Sequence, residues 1–110
     1  MKNLLLKGAV TELIATFAED ESFDLGMFNN QIDYQIEKKI DGFFLNGLAG
    51  EYMYTSMEEK LEMTRATVKK AGGKISVVGN IAETNRAEAF RLLHAYEEVG
   101  VDGICITQPM

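Results

Sequence analysis

Residues 8–17 (GAVTELIATF) are apolar and β-branched without a helical stripe, the pattern of a strand, and 18–22 (AEDES) read as an acidic loop. From Asp24 the period becomes four. Phe28, Ile32, Ile36 and Ile40 fall on one helical face, with Asp24 as N-cap and the helix running to about Lys39. The continuous apolar run 42–46 (GFFLN) is the signature of a parallel strand covered on both faces, and it ends in a loop with two glycines, 47–51 (GLAGE). Ser56 and Glu59 then have capping-box spacing. They open a second helix whose Leu61, Thr64, Val68 and Ala71 face inward and which Gly72 and Gly73 close in a left-handed cap. A third strand, 75–79 (ISVVG), follows. Asn85 with Glu88 is a second box-like start, Ala89, Leu92, Leu93 and Tyr96 mark the buried side, and Gly100 closes that helix before a fourth strand, 103–107 (GICIT).

Strand and helix alternate throughout, which specifies right-handed crossovers and a parallel α/β sheet. One internal echo separates an open sheet from a barrel. Ile40-Asp41-Gly42-Phe43-Phe44-Leu45 and Val101-Asp102-Gly103-Ile104-Cys105-Ile106 share the pattern apolar, Asp-Gly, three apolar, two strand–helix units apart. Such a repeat suits a barrel built from successive quarter-turns.

The chain has 110 residues, enough for one modest domain, with 46% hydrophobic and 25% charged residues in ordinary globular proportion. A net charge of -6 argues against nucleic acid as partner, because phosphate binding needs clustered Lys and Arg. The single Cys105 excludes a disulfide framework and multi-Cys zinc patterns and suits a reducing compartment. Lys7 ends the N-terminal leucine run before it reaches signal-peptide length, and no run approaches a membrane span. The expectation is a cytoplasmic chain with neither membrane nor nucleic-acid partner.

The ordered series Ala15-Thr16-Phe17, Ile32-Asp33-Tyr34, Asp41-Gly42, Leu45-Asn46-Gly47-Leu48-Ala49-Gly50-Glu51, Ser56-Met57-Glu58-Glu59-Lys60 and Glu98-Val99-Gly100-Val101-Asp102-Gly103 resembles the N-terminal half of the dihydrodipicolinate synthase and N-acetylneuraminate lyase family. The resemblance covers nearly the whole chain. It implies the N-terminal half of a (β/α)8 TIM barrel, residues 1–110 forming a partial domain that continues beyond residue 110 in intact members. It also implies class I (Schiff-base) lyase or aldolase chemistry on a 2-oxo acid such as pyruvate, a homo-oligomer, and no cofactor or metal. The family marker Gly-Thr-Thr-Gly-Glu or Gly-Ser-Ser-Gly-Glu stands here as Gly47-Leu48-Ala49-Gly50-Glu51. In the family the backbone N–H groups of the two residues between the glycines hold the substrate carboxylate, so the resemblance assigns substrate binding to Gly47, Leu48, Ala49 and Gly50. Backbone donors survive a change of side chain. Leu48 lacks the hydroxyl that the first Thr contributes to proton transfer in the synthases, and the usual Thr-Pro-Phe after the first strand is shortened to Thr16-Phe17.

A family barrel needs about 250 residues, and the missing part should carry the Schiff-base lysine and a tyrosine of the fifth strand. Such a lysine must be desolvated near a strand's C-terminal end. None of the eight lysines meets that condition: Lys2 is near the terminus, Lys7 and Lys74 precede strands, and Lys38, Lys39, Lys60, Lys69 and Lys70 sit on or beside helices. No catalytic residue is therefore assigned within this chain. Glu51 reads as a structural acceptor. Asn46, Asn80 and Glu83 share the active pole but make a poor cage for a hard cation. His94 reads as a surface or packing residue, Cys105 as an inert buried thiol, and Met27, Met53, Met57 and Met63 as gap-fillers. Tyr52 and Tyr54 suit a pocket rim, a subunit contact or burial.

Two readings result. The chain is the N-terminal fragment of a pyruvate-dependent lyase, inactive alone, or a non-catalytic half-barrel module that self-associates. In both, the first and fourth strands are open edges, and the inner barrel face, with Phe44, Val78 and Ile104 or their neighbours, has no opposing half.

Overall fold

The computed structural model describes residues 6–108. Lys2, the start of the leucine run, Pro109 and Met110 lie outside the described residues. In chain order the elements are β1 (Val10–Glu12), α1 (Leu25–Glu37), β2 (Gly42–Leu45), α2 (Met57–Ala71), β3 (Ser76–Ile81), α3 (Arg86–Val99) and β4 (Gly103–Ile106). The strands form one parallel sheet in the order β1-β2-β3-β4. Each strand pairs with the next in sequence, as expected for successive barrel units.

The helix signals act as their chemistry requires. The Asp24 side chain accepts from the Met27 N–H at 3.0 Å. Ser56 and Glu59 form the full capping box, at 3.1 and 2.8 Å. Asn85 accepts from the Glu88 N–H at 3.0 Å, but Glu88 turns its carboxylate to Arg91 instead of closing a box. Gly72 and Gly100 take the left-handed conformation that ends α2 and α3.

The first strand is shorter than its composition predicts. Beyond Glu12 the chain leaves the sheet because its backbone finds other partners: the Gln31 side chain bonds both the N–H and the C=O of Ile14, and Thr16 donates to the Asp24 carbonyl. β3 is longer than expected, since Asn80 and Ile81 pair with Cys105 and Ile106 of β4.

Phe28, Ile32, Phe43, Leu45, Met63, Val77, Leu92 and Tyr96 form the core between the sheet and the helices. A β-carbon on Gly79 would lie 2.7 Å from the Tyr96 ring of α3, which marks that side of β3 as the helix side. Ile104 is paired with Gly79 and shares this side, so the expectation that it lines the inner barrel face is corrected. Its neighbour Cys105, opposite Asn80, takes that position and is half-buried. Met27 and Met53, expected as gap-fillers, are exposed, whereas Met63 is buried. His94 is exposed.

The contact at Gly79 yields a first prediction. Gly79→Ala places a methyl group against a ring that two hydrogen bonds hold still, and overpacking of this kind costs about 1–3 kcal/mol. The urea midpoint should fall at constant slope, compared at one protein concentration. A midpoint equal to the parent's would show that the ring yields freely.

Candidate functional site

The strands' C-terminal ends converge on a buried polar network. The Asn46 amide, just past β2, donates to the Tyr96 hydroxyl at 2.6 Å, and that hydroxyl donates to the Asn80 carbonyl at 2.7 Å. Asn80 in turn donates from its amide to the Asn46 carbonyl at 3.2 Å and accepts from the Thr107 hydroxyl at 2.7 Å. Asn46 itself has a φ of 60°, a left-handed value that asparagine tolerates better than most residues. Burial pushes the Tyr96 hydroxyl well above its ordinary value of 10.0; the Asn46 amide opposes the rise and the Glu83 charge adds to it.

From Asn46 the chain enters the loop 47–51. Gly50 is packed so closely that a β-carbon there would lie 3.2 Å from the backbone N and Cα of Asn46. The turn is closed by Glu51 N–H to Leu48 C=O at 3.0 Å and Tyr52 N–H to Gly47 C=O at 3.3 Å. Gly47 and Gly50 are buried, while Leu48 and Ala49 are exposed. Glu51 has a φ of 53°, an exposed side chain and a carbonyl that accepts from the Tyr54 N–H.

On the inner side of this loop lies a cavity of about 350 Å³, lined by residues that include Glu12, Phe44, Gly47, Leu48, Tyr52 and Asn80. Tyr52 therefore reaches a pocket rim, whereas Tyr54 stands out into solvent. The Ala49 N–H donates to the carboxylate of Glu12 on β1, a residue that lines this cavity. Sequence reasoning passed over Glu12. Its one signal was an acidic residue inside an otherwise apolar strand.

Sequence reasoning also missed what Lys60 does. Placed on a helix by its pattern, it is buried in the first turns of α2, where its ammonium donates to the Thr55 carbonyl at 2.9 Å and pairs with Glu83 at 3.3 Å. The pair ties the segment after β2 to the segment after β3, and Lys60 does not line the cavity. Of the residues weighed as oxygen ligands, Asn46 and Asn80 are therefore committed to the Tyr96 network and Glu83 to Lys60. Among the described residues no group of three or more His, Cys, Asp or Glu side chains is placed to hold a metal ion. No helix among them is long and apolar enough to cross a membrane.

The model of the dihydrodipicolinate synthetase family matches residues 5–110. The chain belongs to that family. It is 33% identical over 102 residues to a protein of Thermofilum pendens described as an uncharacterized DapA-like lyase, covering 93% of this chain and 34% of that one. The 4-hydroxy-tetrahydrodipicolinate synthase structure from Methylacidiphilum fumariolicum SolV superposes with a TM-score of 0.86 at 30% identity, over 96% of this chain and 35% of that one. YagE, a prophage protein of the dihydrodipicolinic acid synthase family from E. coli K12 solved in complex with pyruvate, gives 0.87 at 25%, over 96% and 36%. The chain thus spans about a third of the length of the relatives it matches. Its four strands and three helices are the N-terminal part of a (β/α)8 barrel, and the family it belongs to includes lyases.

The Tyr96 network sets a pH prediction. Because the folded hydroxyl ionises at a higher pH than the unfolded one, its contribution is fully present below about pH 10 and is lost as pH rises above that value. Tyr96→Phe should cost about 1–3 kcal/mol at neutral pH, since it strands the Asn46 amide and the Asn80 carbonyl. The gap between parent and variant should narrow above about pH 10. Urea midpoints measured on both sides of that pH check it, and a gap that stays constant would refute the assignment.

Proposed function

We propose that this chain is the N-terminal part of a pyruvate-dependent class I lyase and supplies the element that holds the carboxylate of a 2-oxo acid. The binding residues are Gly47, Leu48, Ala49 and Gly50, with the donors being the N–H groups of Leu48 and Ala49. The observation that carries the reading is the Ala49 N–H, which follows β2 and engages a carboxylate oxygen of Glu12, a residue lining the inner cavity. An anion held at a glycine turn by backbone donors needs no basic side chain. The pyruvate complex of the similar YagE structure adds support for the ligand class.

The reaction drawn here uses an amine from the remainder of the barrel. With the 2-oxo acid's carboxylate on the loop, its carbonyl lies over the barrel mouth, where the neutral amine of a desolvated lysine attacks the carbonyl carbon and the carbonyl oxygen leaves as water, giving an imine. The low-dielectric mouth then stabilises the enamine left after bond cleavage. No metal or organic cofactor enters this scheme. Leu48 supplies no hydroxyl, so proton transfer falls to another group. The working compartment is the cytoplasm.

No lysine among the described residues lines the cavity. Treatment of the 110-residue chain with pyruvate and borohydride should accordingly leave its mass unchanged, and a stoichiometric reduced adduct on a single lysine would overturn the assignment of the amine to the missing part.

A second reading, a non-catalytic half-barrel that self-associates, is favoured by one observation. β1 and β4 are the edges of the sheet, and Val10 and Ile106 on these strands are exposed. A reading frame that continues past residue 110 with a tyrosine on the fifth strand and a lysine on the sixth favours the lyase over this module. On either reading the isolated chain should be a homo-oligomer or larger in analytical ultracentrifugation at micromolar concentration. A sharp 12.2 kDa monomer with cooperative unfolding would contradict that expectation.

A further inference from the structure

We propose that Glu12 sets the binding threshold of this pocket: its carboxylate occupies the Ala49 N–H as an internal anion, and an external carboxylate binds only by displacing it. The proposal rests on the reading of 47–50 as the carboxylate-binding loop.

Three features build the arrangement. Glu12 stands opposite Phe44 in the β1–β2 register, and both line the cavity. A β-carbon on Gly47 would lie 3.0 Å from Cδ and Oε2 of Glu12 and 2.6 Å from the Phe44 ring. Glycine at 47 therefore leaves the room through which the Glu12 side chain reaches Ala49. Among the described residues no lysine or arginine pairs with Glu12. Among the described residues the carboxylate is thus held by a backbone donor without a countercharge, an attachment that can be given up.

Two carboxylates cannot share one N–H without strong repulsion at a separation of a few ångströms. Glu12 must therefore swing away when a ligand carboxylate enters. The displacement weakens every ligand carboxylate by the same factor, so acetate, with no other contact to the cavity, falls below measurable binding first. A 2-oxo acid brings further contacts to the cavity and is favoured by comparison.

The test is equilibrium dialysis of the 110-residue chain against radiolabelled pyruvate and acetate. Parent, Glu12→Ala and Glu12→Asp are compared, the aspartate keeping the charge but falling one methylene short of Ala49. Both variants should bind pyruvate about tenfold more tightly than the parent. The gain for acetate should be at least as large, and adding Gly50→Val to Glu12→Ala should abolish both gains. Equal or weaker pyruvate binding in the two variants would overturn the proposal while leaving the loop as the binding element. A gain that survives Gly50→Val, or no binding by any of the chains, would overturn the loop reading and the proposal with it. The two failures are thereby distinguished.

Discussion

At the C-terminal end of the sheet one buried hydroxyl joins two strand ends to a helix. Tyr96, reaching from α3, links the end of β2 to the end of β3 through the Asn46 amide and the Asn80 carbonyl. Parallel strands that stop abruptly leave backbone groups without partners, and here a side-chain network supplies them. Gly79 provides the space for the ring, and the left-handed Asn46 turns the chain directly from the sheet into the glycine loop. The loop is therefore anchored at the residue that precedes it by a contact fifty positions away in sequence. Lys60 and Glu83 add a second tie between the same two segments, so the pole is braced from two helices.

The Asp-Gly echo that pointed to a barrel has a physical cause. Asp41, before β2, accepts from the Ala9 N–H at 2.8 Å, and Asp102, before β4, accepts from the Val77 N–H at 3.0 Å. Each carboxylate takes a backbone donor at the start of the preceding strand, and each aspartate's own N–H bonds back to the same neighbour. The glycine that follows lets the strands approach; a β-carbon on Gly42 would lie 3.2 Å from Val10. The repeat in sequence is a repeat of one strand-joining device at the pole opposite the loop.

Most of the fold was legible because its signals are local. A capping box, a four-residue apolar period and a left-handed glycine each act within one turn of helix, and Ser56, Phe28 and Gly100 do what their neighbours dictate. What was not legible depends on partners distant in the chain. The end of β1 is decided by Gln31, which captures the backbone of Ile14, and no strand propensity records that competition. Lys60 is similar: its helical surroundings say nothing of the carboxylate at position 83 that permits its burial. At the site itself the loop was legible through its glycines and its resemblance to a family marker. Glu12 was not, because nothing within β1 reveals that its side chain meets a loop more than thirty residues on.

The charge of the chain explains why its candidate site is built from backbone. With a net charge of -6 the molecule as a whole repels an anion, and its lysines are spent elsewhere, Lys60 on Glu83 and Lys70 on Asp33. A fixed N–H dipole at a tight turn attracts a carboxylate over a few ångströms without altering that global field. Such a donor is short in reach and indifferent to which carboxylate it meets, so an acid on the adjacent strand becomes its natural occupant. The same short reach leaves a backbone site sensitive to a single nearby glutamate. On the proposal made for Glu12, β1 sets the affinity of such a site as much as the loop does, since β1 holds the group with which a ligand carboxylate competes.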